Sequence, residues 1–195
     1  MKNTKCLSVS FFLAVLALSG CGYNSLQGLD EDVKATWSEV ENQYQRRLDL
    51  VPNLVASVKG YAKHEKETLE AVIQARASAT QTKVNASDLS NPEALQKYQR
   101  AQDGLSSALS RLLIVAEQYP QLKANENFRD LNAQLEGTEN RITVARKRYI
   151  EQVAEYNKAV RYFPTNITAK FLLKLEPRAT FTAAPGAETA PKVEF

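Results

Sequence analysis

Apolar residues recur at steps of three or four over most of the chain, from Leu29 to Phe163. A half-buried strand would place them at every second position, so this spacing predicts helices. The first apolar stripe contains one longer step, of seven residues, across Glu65. Its members are Val33, Trp37, Val40, Tyr44, Leu48, Val51, Val55, Val58, Ala62, Leu69 and Val72. The stripe predicts one long helix.

Pro52 lies within this stripe without interrupting it. Proline has no N–H to donate, and its ring crowds the preceding turn of a helix. We therefore expect the first helix to be kinked or broken near Asp49 to Pro52, and the sequence leaves both forms open.

A polar stretch over residues 80–91 predicts a loop, after which a second helix begins. Asn91 is expected to cap this helix, with Pro92 at its first position and Glu93 in its first turn. The stripe positions between 95 and 119 alternate in steps of three and four, which is the spacing of a coiled coil.

A third stripe, over residues 131–163, predicts a helix that begins near residues 125–127. Pro120 and Pro164 are expected to end the second and third helices, because the residue before a proline avoids the helical conformation. At 1.5 Å per residue these two helices would be about 40 Å and somewhat over 50 Å long. Long helices joined by short loops pack side by side, so we predict an all-α fold, an antiparallel bundle of three long helices over residues 29–164.

Residues 165–195 differ in composition from the bundle. The segment from Ile167 to Leu175 predicts a short amphipathic turn. From Pro177 to Phe195 the chain is rich in Ala, Thr and Pro and has no helical period. We expect an extended or disordered tail there.

The first twenty residues have the pattern of an export signal. Lysines precede an uncharged apolar run over residues 6–18, which has the length of a signal-peptide core and is too short to span a bilayer. The run ends in Leu18-Ser19-Gly20-Cys21, which resembles the lipobox of bacterial lipoproteins. We predict that residues 1–20 are removed, that Cys21 is lipidated with chains such as palmitate, and that residues 21–28 form a short tether. The alternative is conventional cleavage, with Cys21 left as an incidental thiol.

A lipid on Cys21 would anchor the protein to a membrane of the cell envelope. Similar lipoproteins are retained in the inner membrane when Asp follows the cysteine, whereas Gly22 follows it here. This favours the periplasmic face of the outer membrane where the envelope has two membranes. With one membrane, the outer face of the cytoplasmic membrane is expected.

The composition argues against several kinds of chemistry. Without residues 1–20, 23 Lys and Arg face 22 Asp and Glu, so the chain lacks the basic excess that nucleic-acid binding requires. His64 is the single histidine, with no partners at metal-ligand spacing, and we interpret it as a solvated surface residue. No cofactor or metal is predicted. The pattern indicates a protein that is not an enzyme, with an uncatalogued two-carboxylate hydrolase as a distant alternative.

Basic residues are concentrated at Arg46 and Arg47 and along the third helix. They could form a surface for anionic lipid or an acidic partner. We favour ion pairing with glutamates on neighbouring turns and helices. The basic residues of the third helix are Arg141, Arg146, Lys147, Arg148 and Arg161, and the glutamates are Glu39, Glu41, Glu136, Glu139 and Glu151.

Long strings of the chain resemble the LemA family. They are YNSL at residues 23–26, TWSEVENQYQRRLDLVPNLVASVKGYAKHE at 36–65, RLLIVAEQYPQLKANENFRDLNAQLEGTENRITVARKRYIEQVAEYNKAVRYFP at 111–164, and the closing APKVEF. The resemblance implies a mostly helical, membrane-associated bacterial envelope protein with no established biochemical activity. It also implies a link with envelope quality control, including HtpX-type membrane proteases. Family members usually have one N-terminal transmembrane helix, and this chain departs from them in having a lipobox.

We therefore predict a membrane-tethered lipoprotein that acts as a non-catalytic interaction or scaffold module for other envelope proteins. The candidate interaction surface lies around the proline of the first helix and comprises Arg46, Arg47, Asp49, Pro52 and Asn53. The alternative is a membrane-surface module that senses lipid through the basic third helix and residues 167–175. The oligomeric state is left open, because exposed heptads can also build a dimer.

Overall fold

A computed structural model describes residues 22–62 and 64–182. This part of the chain consists of helices, turns and extended connections, without a strand, and the predicted all-α bundle is confirmed. The elements in chain order are α1 (Tyr23–Tyr61), α2 (Lys66–Gln81), a 3₁₀ turn (Ala86–Ser90), α3 (Pro92–Ala116), α4 (Pro120–Ala124), α5 (Glu126–Arg161), α6 (Thr165–Ile167) and a π-helical turn (Thr168–Leu173).

Contacts between helices give their directions. On α2, Arg76 reaches Leu48, and just beyond the helix the carbonyl of Val84 accepts a hydrogen bond from the indole of Trp37, so α2 runs back along α1. Along α3, residue 102 contacts Arg47, and Tyr119 beyond its end contacts Glu65, so α3 runs parallel to α1. Helix α5 starts beside Tyr61 and continues past Glu39, antiparallel to α1. The four longer helices form an up-down-up-down bundle.

The first predicted helix is divided between Tyr61 and Lys66, and it is not broken near Pro52. Helix α1 continues through Pro52 to Tyr61, and α2 is a separate helix. The seven-residue step in the apolar stripe falls across this break. The residues around Glu65 are charged or polar, so a continued helix would bury nothing there, and the chain turns back.

The predicted helix starts are confirmed where a capping side chain was expected. The Asn91 side chain accepts hydrogen bonds from the backbone N–H groups of Glu93 and Ala94, with Pro92 at the first helical position. Asn125 caps α5 in the same way by accepting from the N–H of Phe128. These side chains satisfy donors that have no partner within the helix.

Two hydrophobic cores are stacked along the bundle. The first, which we call the proximal core, lies toward the start of α1 and includes Trp37 and Tyr149. The distal core lies toward the end of α1 and includes Leu48, Leu105 and Leu112. The ring centroids of Trp37 and Tyr149 are 5.3 Å apart. Buried polar side chains lie between the two cores: Arg47, Gln102 and Thr138.

The segment after the π-helical turn is extended and packed on the bundle as far as the structure describes it. Lys174 takes a left-handed conformation that ends the turn, and Phe181 is buried in the proximal core. Of the predicted extended or disordered tail, residues 177–182 take the extended form, because side chains of the bundle hold their backbone. Residues 183–195 lie outside the described residues.

None of the helices in the described part of the chain combines the length and the apolar character needed to cross a bilayer.

Candidate functional site

Arg47 lies at the centre of the bundle and connects three helices. Its Nη1 donates to the hydroxyl of Ser106 at 2.6 Å and to the carboxylate of Glu139 at 2.8 Å. Its Nη2 donates to the backbone carbonyl and side-chain oxygen of Gln102, at 3.1 and 2.7 Å. The guanidinium also lies 5.0 Å from the ring centre of Tyr44. Only 1% of Arg47 is exposed, so its hydrogen bonds to Gln102 are shielded from water, whereas the Glu139 side chain is 40% exposed.

This position corrects the predicted interaction surface, because Arg47 is not on it. The other four residues, Arg46, Asp49, Pro52 and Asn53, are exposed on α1. Three of them follow helical spacing, at positions 46, 49 and 53, so they share one face. The carboxylate of Asp49 accepts a hydrogen bond at 2.7 Å from Gln45 one turn earlier, which holds it on the outside of the helix. The hydrogen bonds of Arg47 fix the backbone of α1 behind this face. The binding role of the face stays a prediction.

The expected ion pairing of the basic residues is confirmed for three pairs. Arg47 pairs with Glu139, and Arg148 of α5 pairs with Glu39 of α1, each at 2.8 Å. Lys147 and Glu151 form a looser pair, at 3.8 Å, one turn apart on α5. Arg146 instead lies over the ring of Phe181, 4.4 Å from its centre.

The C-terminal segment, residues 176–182, is held by side chains that the sequence pattern did not single out. The hydroxyls of Tyr149 and Tyr156 donate to the backbone carbonyls of residues 179 and 176. Asn157 and Gln99 each make a paired contact, donating to one backbone carbonyl and accepting from a backbone N–H of residues 178 and 182. The carbonyl of Leu89 accepts from the N–H of residue 179 at 2.7 Å. The segment is therefore fixed to α3, α5 and the 3₁₀ turn.

Asp30 and Arg178 add a partly buried ion pair to this attachment, at 2.8 Å. Lys34 approaches the other oxygen of Asp30 at 2.9 Å. Burial alone would raise the pKa of the Asp30 carboxyl, but the hydrogen bonds from Arg178 and Lys34 together outweigh it and lower the pKa below its usual value. Asp30 is consequently an anion at neutral pH and holds the C-terminal segment against α1.

Aromatic rings from several elements meet at this point. Phe181 is stacked on Trp37 at 6.1 Å and meets Tyr149 edge-on at 5.6 Å. Tyr98 contacts both Trp37 and Tyr44 at 5.5 Å. Burial raises the pKa of the Tyr98 and Tyr149 hydroxyls, which therefore remain protonated. The rings pack as a core rather than as a set of reactive groups.

A cleft of about 380 Å³ lies between α1, α2 and α3 and bears on the hydrolase alternative. Glu41 is the one carboxylate among the described residues that line it. Burial raises the pKa of Glu41, while the indole of Trp37 and the charge of Lys83 lower it in part. A two-carboxylate hydrolase needs a second acid opposite the first, which this cleft does not supply.

His64 is exposed, in the connection between α1 and α2. Within residues 22–62 and 64–182, no three His, Cys, Asp or Glu side chains lie close enough together to hold a metal ion.

The predicted lipidation site, Cys21, lies outside the described residues. The next residue, Gly22, is buried against Thr165, and a Cβ added there would come 2.9 Å from the Thr165 methyl group. The start of α1 therefore packs directly on the turn that follows α5, and the chain enters the bundle at the end where α5 finishes.

A model of the LemA family matches residues 36–195 of the chain. The chain belongs to the LemA family. The match begins within α1 and extends through α5 and the C-terminal segment of this LemA protein.

Curated relatives of this LemA protein include two proteins of Paramagnetospirillum magneticum, magnetosome protein MamQ 1 and magnetosome protein MamQ 2. Each is 27% identical over 94% of this chain and 72% of the relative. Magnetosome protein MamQ of Magnetospirillum gryphiswaldense is 26% identical over 84% of this chain and 65% of the relative. These similarities and the family match support a LemA-type protein associated with membranes.

Proposed function

We propose that this protein is a lipid-anchored, non-catalytic interaction module of the bacterial cell envelope. Cys21 would carry the lipid, and the face of α1 that contains Arg46, Asp49, Pro52 and Asn53 would bind another envelope protein. The observation that carries the proposal is the contrast between this exposed face and the buried Arg47 behind it, which fixes α1 against α3 and α5.

Rigidity of this kind favours recognition. A preorganised surface loses less conformational entropy when a partner binds than a flexible one does. The exposed face offers one cation, one anion and an amide within two helical turns, on a helix that cannot shift without breaking the Arg47 hydrogen bonds. Family membership supports an envelope protein. An HtpX-type membrane protease is the candidate partner that the resemblance supplies.

The anchor is tested by intact mass and membrane fractionation of the native protein beside Cys21→Ala. A mature mass that lacks residues 1–20 and includes acyl chains, together with release or failed cleavage of the variant, supports the anchor. An unmodified wild-type protein with an intact N-terminus contradicts it.

The interaction face is tested by crosslinking in whole cells. A photoreactive amino acid replaces Asn53 in one variant and Asn140, an exposed asparagine on α5, in the matched control. We expect defined protein adducts from position 53 that are absent from position 140, and their identity names the partner. Equal adduct patterns at both positions would remove the support for a specific face.

A further inference from the structure

The largest concentration of exposed apolar side chains lies at the end of the bundle where α1 begins and α5 finishes. Six of the eleven exposed large hydrophobic residues in the described part of the chain are there. They are Tyr23, Tyr162, Phe163, Ile167, Phe171 and Leu172. Phe163 and Phe171 are 78% and 71% exposed, which is unusual for phenylalanine on a water-facing surface.

The same end is mainly basic. Residues 156–175 contain four Lys and Arg and no Asp or Glu. Arg161, Lys170 and Lys174, together with one carboxylate, Glu176, line a groove of about 550 Å³ between the end of α5 and the π-helical turn. Exposed aromatic residues interleaved with lysine and arginine are typical of protein surfaces that lie in the headgroup region of a bilayer.

The point at which the N-terminal segment joins the bundle indicates which end of the bundle would face a membrane. Residues 1–21, which include the apolar run and Cys21, join the bundle at Gly22, directly against Thr165. The hydroxyl of Thr165 in turn donates to the carbonyls of Ala159 and Tyr162, so α1, α5 and the turn are locked together here. Any membrane anchor in residues 1–21 therefore holds this end, and no other, against the lipid.

We propose that this end of the bundle is a lipid-binding surface: Phe163, Ile167, Phe171 and Leu172 insert into the bilayer interface, and Arg161, Lys170 and Lys174 bind lipid phosphates. We name it the membrane-facing end. This rests on the membrane tether in the proposed function and goes beyond it, because a tether alone would leave the bundle free to tumble. Apolar contact together with the anchor makes two attachments, which is the number that stable membrane binding requires. The long axis of the bundle is then roughly perpendicular to the membrane, and the face around Asn53 lies away from the lipid.

The test is photocrosslinking of the full-length acylated protein, reconstituted in vesicles of equal parts phosphatidylglycerol and phosphatidylcholine. Photoreactive benzoylphenylalanine replaces Phe171 in one variant and Ile114 in the control. Ile114 is 63% exposed near the opposite end of the bundle, so it matches Phe171 in polarity and accessibility. We expect phospholipid adducts at position 171 and none above background at position 114, measured by mass spectrometry.

The basic groove is tested in the same vesicles. The adducts at position 171 should contain more phosphatidylglycerol than phosphatidylcholine. Lys170→Gln with Lys174→Gln should lower that ratio, by up to about fivefold for each lysine removed. The substituted side chains are exposed, so these variants keep the fold.

The outcomes separate the two proposals. A protein that sediments with vesicles but gives no lipid at position 171, or equal lipid at positions 171 and 114, overturns the membrane-facing end and leaves the tether standing. A protein adduct at position 171 in cell membranes, in place of lipid, assigns this end to a protein partner and also overturns it. A protein that does not associate with membranes overturns both.

Discussion

Arg76 of α2 donates a hydrogen bond from its Nε to the backbone carbonyl of Leu48 in α1, at 3.0 Å. In an uninterrupted helix, this carbonyl would accept from the N–H of residue 52, but residue 52 is a proline. Arg76 thus replaces the hydrogen bond that Pro52 removes. The contact helps α1 to continue through a proline and connects α2 to α1.

Replacing Arg76 with methionine should leave the Leu48 carbonyl without its partner. We expect Arg76→Met to lower the free energy of unfolding by about 1–3 kcal/mol, measured by urea denaturation of the purified protein. In a Pro52→Ala background, the N–H of residue 52 can donate to the Leu48 carbonyl. Arg76→Met should then lower the free energy of unfolding by less. An equal cost in both backgrounds would show that Arg76 does not substitute for the missing N–H. Arg111→Met, at an exposed position on α3, is the control.

The neighbouring residues Arg46 and Arg47 should differ sharply on substitution. Arg47→Ala removes the donor to the buried side-chain oxygen of Gln102, so we expect a loss of about 1–3 kcal/mol in the free energy of unfolding. Arg46 is exposed, and Arg46→Ala should change the free energy of unfolding by no more than about 0.5 kcal/mol. Denaturant titrations followed by circular dichroism measure both. Similar losses for the two variants would contradict the assigned role of Arg47.

The sequence predicts helix ends of this protein because these ends depend on local chemistry. Asn91 followed by Pro92 meets the requirements of a helix start within a few residues. The chain reversal at residues 62–65 was also signalled, by the seven-residue gap in the apolar stripe across Glu65. The stripe continues in register on both sides of the gap, and Pro52 is the stronger helix breaker. The sequence therefore did not identify the gap as the place where the helix ends, and a kink at Pro52 stays a prediction.

The burial of Arg47 and the attachment of the C-terminal segment could not be predicted from local sequence patterns. Arg47 stands beside Arg46 in the sequence, and its burial depends on Glu139 and Gln102, which only the packed bundle brings near. The C-terminal segment is held through its backbone groups by side chains such as Asn157. Backbone attachment leaves no periodic pattern of apolar residues, which is why the segment resembles a disordered tail.

Phe181 should be the main apolar anchor of the C-terminal segment. Phe181→Ala removes the ring that packs on Trp37 and Tyr149, and we expect a loss of about 3 kcal/mol in the free energy of unfolding. Trp37 is the single tryptophan of the chain, so its fluorescence reports directly on this contact. The matched control, Phe163→Ala, truncates an exposed phenylalanine and should leave both the fluorescence and the free energy unchanged. A small effect at position 181 would mean that the backbone hydrogen bonds alone hold the segment.

The ion pair of Asp30 with Arg178 should make this attachment sensitive to acid. Because the pKa of Asp30 is lower in the folded protein than in the unfolded chain, its stabilising contribution is fully present above the unfolded value of about 4. It is lost as the pH falls through the lower, folded value, where the carboxyl takes up a proton and releases Arg178. We therefore expect the difference in unfolding free energy between wild type and Asp30→Asn to be largest at neutral pH and to decline as the pH falls below about 4. Asp32→Asn, at an exposed position two residues away, should show no such decline. Denaturant titrations followed by Trp37 fluorescence at several pH values measure the difference, and equal pH dependence for the two variants would remove Asp30 as the acid-sensitive contact.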